Sequence, residues 1–411
     1  MFFRKSSNSH RTQLWLARML TIRTFRHINS RTMQKTQKGI KNPYLVAVAV
    51  IILLGIIYVI LQVAYGAIVE SFVPERMIEQ STLPLPYKWS YTAATKIHGH
   101  PVAVAGLILL RTDDSVIALK TETGERSWIV PAPAFASLSP DIAIQGNVLL
   151  VVSDRGSKVL AFDVRDGTVL WSQEPFGSLG KISTVATDNQ RTYVGLVRAG
   201  VPIRAYDLQS GEPIWDNDLL VPSGYSVAAM EINNNELYAV VGNDLFILDS
   251  RTGTLKKTIT GFYQGNNIQL VNHVALTWFN STLLVKDVES GNRIWQFNKR
   301  PHFFNVIGDR VYVSSNCCAL HALQLSTGQL LWERPLPLLT GSEVVTIGNT
   351  GYVMMEDGSI LAFDTESGAD RGKLETTPHS VGINVPDRGL GTDGTSLYAT
   401  FGDNKVFAFG P

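Results

Sequence analysis

The chain has 411 residues, 45% of them hydrophobic, and 36 Lys or Arg against 35 Asp or Glu leave a formal net charge of +1. That near-balance hides an asymmetry: ten basic residues (Arg4, Lys5, Arg11, Arg18, Arg23, Arg26, Arg31, Lys35, Lys38 and Lys41) precede Tyr44 with no acid among them, leaving 26 basic and 35 acidic groups beyond. A remainder at net −9 argues against binding nucleic acid, and the only cysteines, Cys317 and Cys318, are adjacent, which excludes C-x-x-C chemistry and c-type haem attachment.

Residues 1–43 read as a disordered basic tail that sets topology and touches anionic lipid. Two other readings stay open: a start at Met19 or Met33 would shorten the tail, and its Arg-rich, acid-free composition also fits a mitochondrial presequence. Residues 44–69 contain no charged side chain. At about 1.5 Å per residue they are long enough to cross a hydrocarbon core of about 30 Å with some tilt, which predicts a transmembrane helix. Basic flanks stay cytoplasmic, so the N-terminus is expected inside and the rest of the chain outside. A single-pass protein of a bacterial plasma membrane is the default expectation, and an organellar inner membrane the alternative. Residues 70–85 include Pro74 and Pro84 and little apolar periodicity, and they read as a short, stiff linker that keeps the next domain near the membrane surface.

From residue 86 the chain repeats itself. Leu160-Ala-Phe-Asp163 leads to Asp166-Gly167 and Trp171, and Arg204-Ala-Tyr-Asp207 leads to Ser210-Gly211 and Trp215. The same phrase ends in Gly124 with Trp128, in Gly291 with Trp295 and in Gly328 with Trp332; Gly253 and Gly368 have Lys257 and Gly372 where Trp is expected. The seven glycines are 43, 44, 42, 38, 37 and 40 residues apart, one four-stranded antiparallel blade per repeat. In the phrase an apolar strand usually ends in an Asp whose carboxylate can accept turn N–H groups, Gly supplies the positive φ, and Trp, where it is present, opens the outer strand and packs between blades. These turns are read as architectural. An apolar strand precedes each phrase, and an eighth (residues 396–400) is followed by a last strand at 405–409 with no fourth partner. Residues 86–91, containing Trp89, supply a fourth strand without the first three. Pairing the two ends predicts a closed, eight-bladed, all-β propeller over residues 86–411, without exposed sheet edges at a gap.

The phrase Ala-Phe-Asp-x-x-(Ser/Thr)-Gly-x-x-x-Trp resembles the repeat of the pyrroloquinoline-quinone-like β-propellers. That repeat is seen in quinoprotein alcohol dehydrogenases and in the propeller lipoprotein of the outer-membrane barrel-assembly machinery. The resemblance covers residues 85–411 and implies the fold; it does not choose among enzymes, scaffolds and sensors, all of which use it.

Strand parity places the turns between second and third strands on the face that carries the connections from blade to blade. Cys317 and Cys318 fall in such a turn and form a candidate redox pair, since adjacent cysteines close only a strained ring; some quinoprotein dehydrogenases carry a vicinal pair near their quinone. The same face offers Tyr225, Tyr263, Asn266, His302, Phe303, Phe304 and His379 as candidate interaction residues. A quinone-dependent enzyme would need pyrroloquinoline quinone, a calcium cage, a catalytic Asp and a Trp platform, and no cage residue can be matched here. No catalytic or metal-binding residue is assigned and no cofactor is expected. The first functional reading is a membrane-anchored scaffold or accessory subunit that binds another membrane or envelope protein. The alternatives are a quinone-dependent oxidoreductase and a ligand- or carbohydrate-binding ectodomain.

Overall fold

The computed structural model describes residues 81–131, 142–153, 156–175, 181–197, 203–217, 226–262, 268–271, 273–279, 281–315, 318–375, 388–402 and 404–411. The expected tail, the span at 44–69 and most of the linker lie outside them. Among the described residues no helix is long and apolar enough to cross a membrane.

The described residues build eight four-stranded antiparallel sheets. Seven are consecutive meanders: blade 1 at 97–131, blade 2 at 142–173, blade 3 at 181–217, blade 4 at 227–259, blade 5 at 268–297, blade 6 at 301–335 and blade 7 at 345–374. Blade 8 takes three strands from 388–409 and its fourth from Tyr87–Thr92, which pairs antiparallel with Lys405–Phe409. The closure expected from the unmatched ends is the one the structure adopts. First strands of adjoining blades touch, as between blades 8 and 1, 2 and 3, and 3 and 4. The ring therefore surrounds a channel lined by first strands, with fourth strands at the rim.

The apolar core is eight separate clusters, one in each seam between neighbouring blades. Stability is accordingly close to a sum of nearest-neighbour seams. Each repeat phrase supplies both halves of a clasp across such a seam. The indole Nε1 atoms of Trp89, Trp128, Trp171, Trp215, Trp295 and Trp332 donate at 2.7–3.1 Å to backbone carbonyls of the following blade, always three residues before its repeat glycine. The ring then lies on that glycine: a Cβ on Gly124, Gly167, Gly211, Gly253, Gly328 or Gly368 would sit 2.5–2.9 Å from the clasping Trp. Glycine is required there by φ near +70° and by the indole above it. A bulge ahead of each Trp sets it opposite a small residue, Ala in five of these six blades (Ala118, Ala161, Ala205, Ala322 and Ala408) and Val285 in blade 5. That is why the phrase reads Ala-Phe-Asp.

The two seams without Trp are filled otherwise. Between blades 4 and 5, Lys257 Nζ donates to the Glu289 carbonyl, Ile259 covers Gly291, and Phe262 is buried under the Lys286 ammonium, 5.3 Å from the ring centroid. Between blades 7 and 8 the incoming chain fills the space. Thr82 N donates to Lys373 O at 2.9 Å, Lys373 N donates to Thr82 Oγ1 at 3.0 Å, and Leu83 is buried among Tyr352, Leu374, Leu390 and Phe409. Gly372 stands in the Trp position because a Cβ there would lie 2.0 Å from Thr82 O. Blade 8 also has no turn between its third and fourth strands, and hence no glycine for a Trp to cover.

Candidate functional site

The first strands of blades 1, 6, 7 and 8 enclose a cavity of about 940 Å³ in the channel. Its closest wall is where the ring shuts. A Cβ on Gly391 would lie 2.0 Å from Pro101 O and one on Gly389 2.6 Å from His100 Cβ, so the glycines let the backbones of blades 8 and 1 meet. Thr400 Oγ1 adds a hydrogen bond to Gly99 O at 2.9 Å.

Part of the lining of this cavity is polar. His100, His302, Glu343, Glu356 and Arg388 all line it. Arg388 donates from Nε to Phe401 O at 3.1 Å and from Nη1 to the Glu356 carbonyl, so two of its five N–H groups are held by backbone. Glu343 is open to the cavity but walled in by protein, and this desolvation pushes its carboxyl above the usual range. The same cause lowers the His100 imidazole and favours its neutral form. His302 Nδ1 is buried with no hydrogen-bond partner among the described residues, and the His302 ring meets Phe303 edge-on at 4.6 Å.

The shared face expected from parity is visible in the hydrogen bonds. Leu336 N, in the connection from blade 6 to blade 7, donates to Cys318 O at 2.7 Å, and Glu356 N donates to Leu339 O at 2.9 Å. Of the expected interaction residues, His302 and Phe303 line the cavity. Phe304 does not belong to that face: it is buried in the seam of blades 5 and 6 with Trp295 and Leu325. A bulge between Pro301 and Phe303 lets His302 and Phe303 both face the cavity, and the regular alternation that resumes at Phe303 turns Phe304 into the seam. Tyr225, Tyr263, Asn266, His379 and Cys317 lie outside the described residues. Cys318 is half-buried at the edge of the seam of blades 6 and 7, in a positive-φ turn. Sequence reasoning missed Glu343, Glu356, Arg388 and His100, which lie in a connection, a second-to-third turn and two first strands, none of them part of the repeat phrase.

A second feature lies on the rim. At the two positions before the Trp, blades 2 to 6 expose Val169, Leu170, Ile214, Leu255, Ile294, Leu330 and Leu331, each 37–53% accessible. Blades 7, 8 and 1 carry Asp370-Arg371, Tyr87-Lys88 and Arg126-Ser127 there. The result is a row of exposed apolar side chains along five consecutive blades, with Tyr87 of blade 8 and Ile129 of blade 1 exposed to a similar degree.

The sequence profile of the family described as outer membrane protein assembly factor BamB matches residues 87–179, 155–261 and 279–411, nearly the whole ring. The chain belongs to this family. Its relatives include BamB of Burkholderia pseudomallei, 26% identical over 148 residues covering 33% of this chain and 39% of that protein. BamB of Shewanella oneidensis is 23% identical over 235 residues, 57% of this chain and 52% of that one. The aligned parts thus span about half or less of these curated relatives. Among solved structures, BamB from Moraxella catarrhalis superposes with a TM-score of 0.59 at 19% identity, covering 80% of this chain and all of that one. Quinohemoprotein alcohol dehydrogenase from Comamonas testosteroni gives 0.59 at 15% identity over 81% of this chain and 78% of that one. Both likenesses establish the fold and nothing further.

Within the BamB family fold, the described channel residues do not fit the quinone and calcium of the dehydrogenases. Pyrroloquinoline quinone is a tricarboxylate, whereas the cavity presents two glutamates against one guanidinium. Among the described residues no group of three His, Cys, Asp or Glu is arranged to hold a metal ion.

Proposed function

We propose that this chain is a membrane-tethered, extracytoplasmic propeller that serves as a protein-interaction scaffold, an accessory subunit of an envelope complex. The reading joins a single span at 44–69, with the basic tail on the cytoplasmic side, to a ring of the BamB family, whose namesakes are assembly factors of outer membrane proteins. The observation that carries it is the apolar row on blades 2 to 6. Exposed apolar side chains recurring at one rim position on successive blades offer a partner an apolar strip, and the fully buried cores of protein interfaces are more apolar than the rest of the surface.

The test is affinity capture of the full-length chain from detergent-solubilised membranes, beside a variant with Leu170→Ser, Leu330→Ser and Leu331→Ser. A stoichiometric membrane or envelope protein held by the wild type and lost from the variant supports the scaffold. Recovery of the chain alone, with a calcium-dependent quinone absorbance, would replace it with the oxidoreductase reading.

A further inference from the structure

Glycine occurs three times in the eight first strands, at Gly99, Gly389 and Gly391, and all three lie where blade 8 meets blade 1. A glycine inside a strand marks a bulge or the close approach of another backbone, and this junction has both. In blade 1, His98 pairs with Arg111 and Val102 with Leu109, so the first strand carries two more residues than its partner between those pairs. The first strands of blades 3, 4 and 6 carry only one extra residue each. The enlarged bulge, Gly99-His100-Pro101, meets the first strand of blade 8. Thr400 Oγ1 donates to Gly99 O at 2.9 Å, and Cβ atoms at Gly389 and Gly391 would strike His100 and Pro101 O.

The same stretch of chain holds blade 8 in two more places. Tyr87–Thr92 pairs with Lys405–Phe409 along the rim edge of the sheet. Ala93 N then donates to Asn404 O at 2.8 Å, and Asn404 Nδ2 donates to Ala93 O at 2.9 Å. Residues 87–101 thus run along the outer edge of blade 8, cross its end and return against its inner edge. The outer two strands of a three-stranded sheet are about 10 Å apart, so the rim contact and the channel contact are separate. Each keeps the residues of the other at high local concentration when one of them lets go.

We propose that residues 99–101 are an inner latch of the ring, a second closure that holds blade 8 against blade 1 from the channel side when the outer strand is withdrawn. The outer strand is then able to leave and return without opening the ring, and His100 and Pro101 keep their place in the cavity wall meanwhile. The latch is independent of the scaffold reading.

The experiment compares hydrogen exchange, read by mass spectrometry, in the detergent-solubilised full chain and three variants. Ser90→Pro with Tyr91→Pro withdraws the outer strand, because one of two successive N–H groups in an edge strand faces its neighbour. Gly391→Ala strikes the latch, since its backbone lies outside the positive-φ region and its Cβ would fall 2.0 Å from Pro101 O. The third variant combines them. The proline variant should exchange at least about 10-fold faster over residues 87–92 and stay within about 3-fold of wild type over 97–104 and 388–392. Gly391→Ala should release 97–104 and leave 87–92 protected. With both closures gone, all of these segments should exchange freely, and the melting midpoint should fall by more than the sum of the two separate falls. Both single variants are expected to melt cooperatively. A proline variant that no longer does so, or that exposes 97–104 and 388–392 as fully as 87–92, would make the outer strand the only closure and overturn the latch. A combined fall in midpoint no greater than the sum would overturn it too.

Discussion

Leu83 and Gly372 are expected to act as one unit, although 289 positions separate them in the chain. Leu83 is 9% exposed and fills the space that Trp fills in six other seams. Truncation to Ala removes most of a buried side chain beside a rim that can partly collapse, so the cost falls at the lower end of the Leu→Ala range, about 2–3 kcal/mol. Gly372→Ala acts from the other side, since its Cβ would meet Thr82 O at 2.0 Å and must expel residues 82–83. That variant loses the Leu83 burial and the Thr82–Lys373 hydrogen bonds together, about 3–4 kcal/mol in all. Once the segment is expelled, Leu83→Ala has nothing left to remove. The double variant should therefore match Gly372→Ala within about 0.5 kcal/mol, a coupling of about 2 kcal/mol. At about 2 cal/mol/K per residue, each single variant lowers the melting midpoint of a ring this size by about 3–5 °C. Thermal unfolding followed by tryptophan fluorescence in detergent measures all four corners of the cycle. Additive losses, or a Leu83→Ala change below about 0.5 kcal/mol, would refute the claim that the incoming chain replaces the missing Trp.

Three further outcomes follow from the seams. Gly167→Ala and Gly106→Ala both place Ala at φ near +75°, but only at Gly167 does the new Cβ meet Trp128, at 2.9 Å, while Gly106 has open space. Chemical denaturation should show a loss of about 1 kcal/mol at Gly106 and at least about 2 kcal/mol more at Gly167, and equal losses would rule out the clasp. Removing residues 405–411 deletes the buried Val406, Phe407, Ala408 and Phe409 that join blade 8 to Tyr87–Thr92. The midpoint should drop by more than about 10 °C, and an unchanged melt would contradict closure by this strand. His321 is fully buried against Phe297, and burial lowers its pKa to about 4. A base whose folded pKa lies below its unfolded value of 6.5 takes up protons preferentially in the unfolded chain, so stability is full above pH 6.5 and is lost as pH falls toward 4. Relative to His321→Gln, the wild type should lose about 2–3 kcal/mol between pH 7 and 4.5 in urea titrations; parallel pH profiles would exclude His321 as the cause.

The repeat was legible because one phrase per blade fixes a turn, a strand and a clasp, and two unmatched ends leave only one way to close the ring. What the phrase did not disclose is that its Gly, Trp and Ala belong to one contact. Gly167 alone reads as a turn residue, since the indole that covers it comes from the previous repeat, 39 residues earlier at Trp128. Phe262 and Leu83 were equally silent, because each stands in for Trp from a segment outside the repeat. The channel residues were harder still. Glu343 lies in a connection, Arg388 at the start of a glycine-rich strand, and Phe303 next to a Phe304 that faces the opposite way. Only alternation within a placed strand separates those two.

Any pull along the chain from upstream would enter the ring at the seam between blades 7 and 8. Tension drawn along the chain from upstream of residue 81 reaches the Thr82–Lys373 bonds and Leu83 before it reaches any blade. Those few contacts yield by peeling, one after another, whereas Tyr87–Thr92 is held by five paired positions along Lys405–Phe409 that must give way together. Under such tension the docked segment would give way first and leave the closed ring intact.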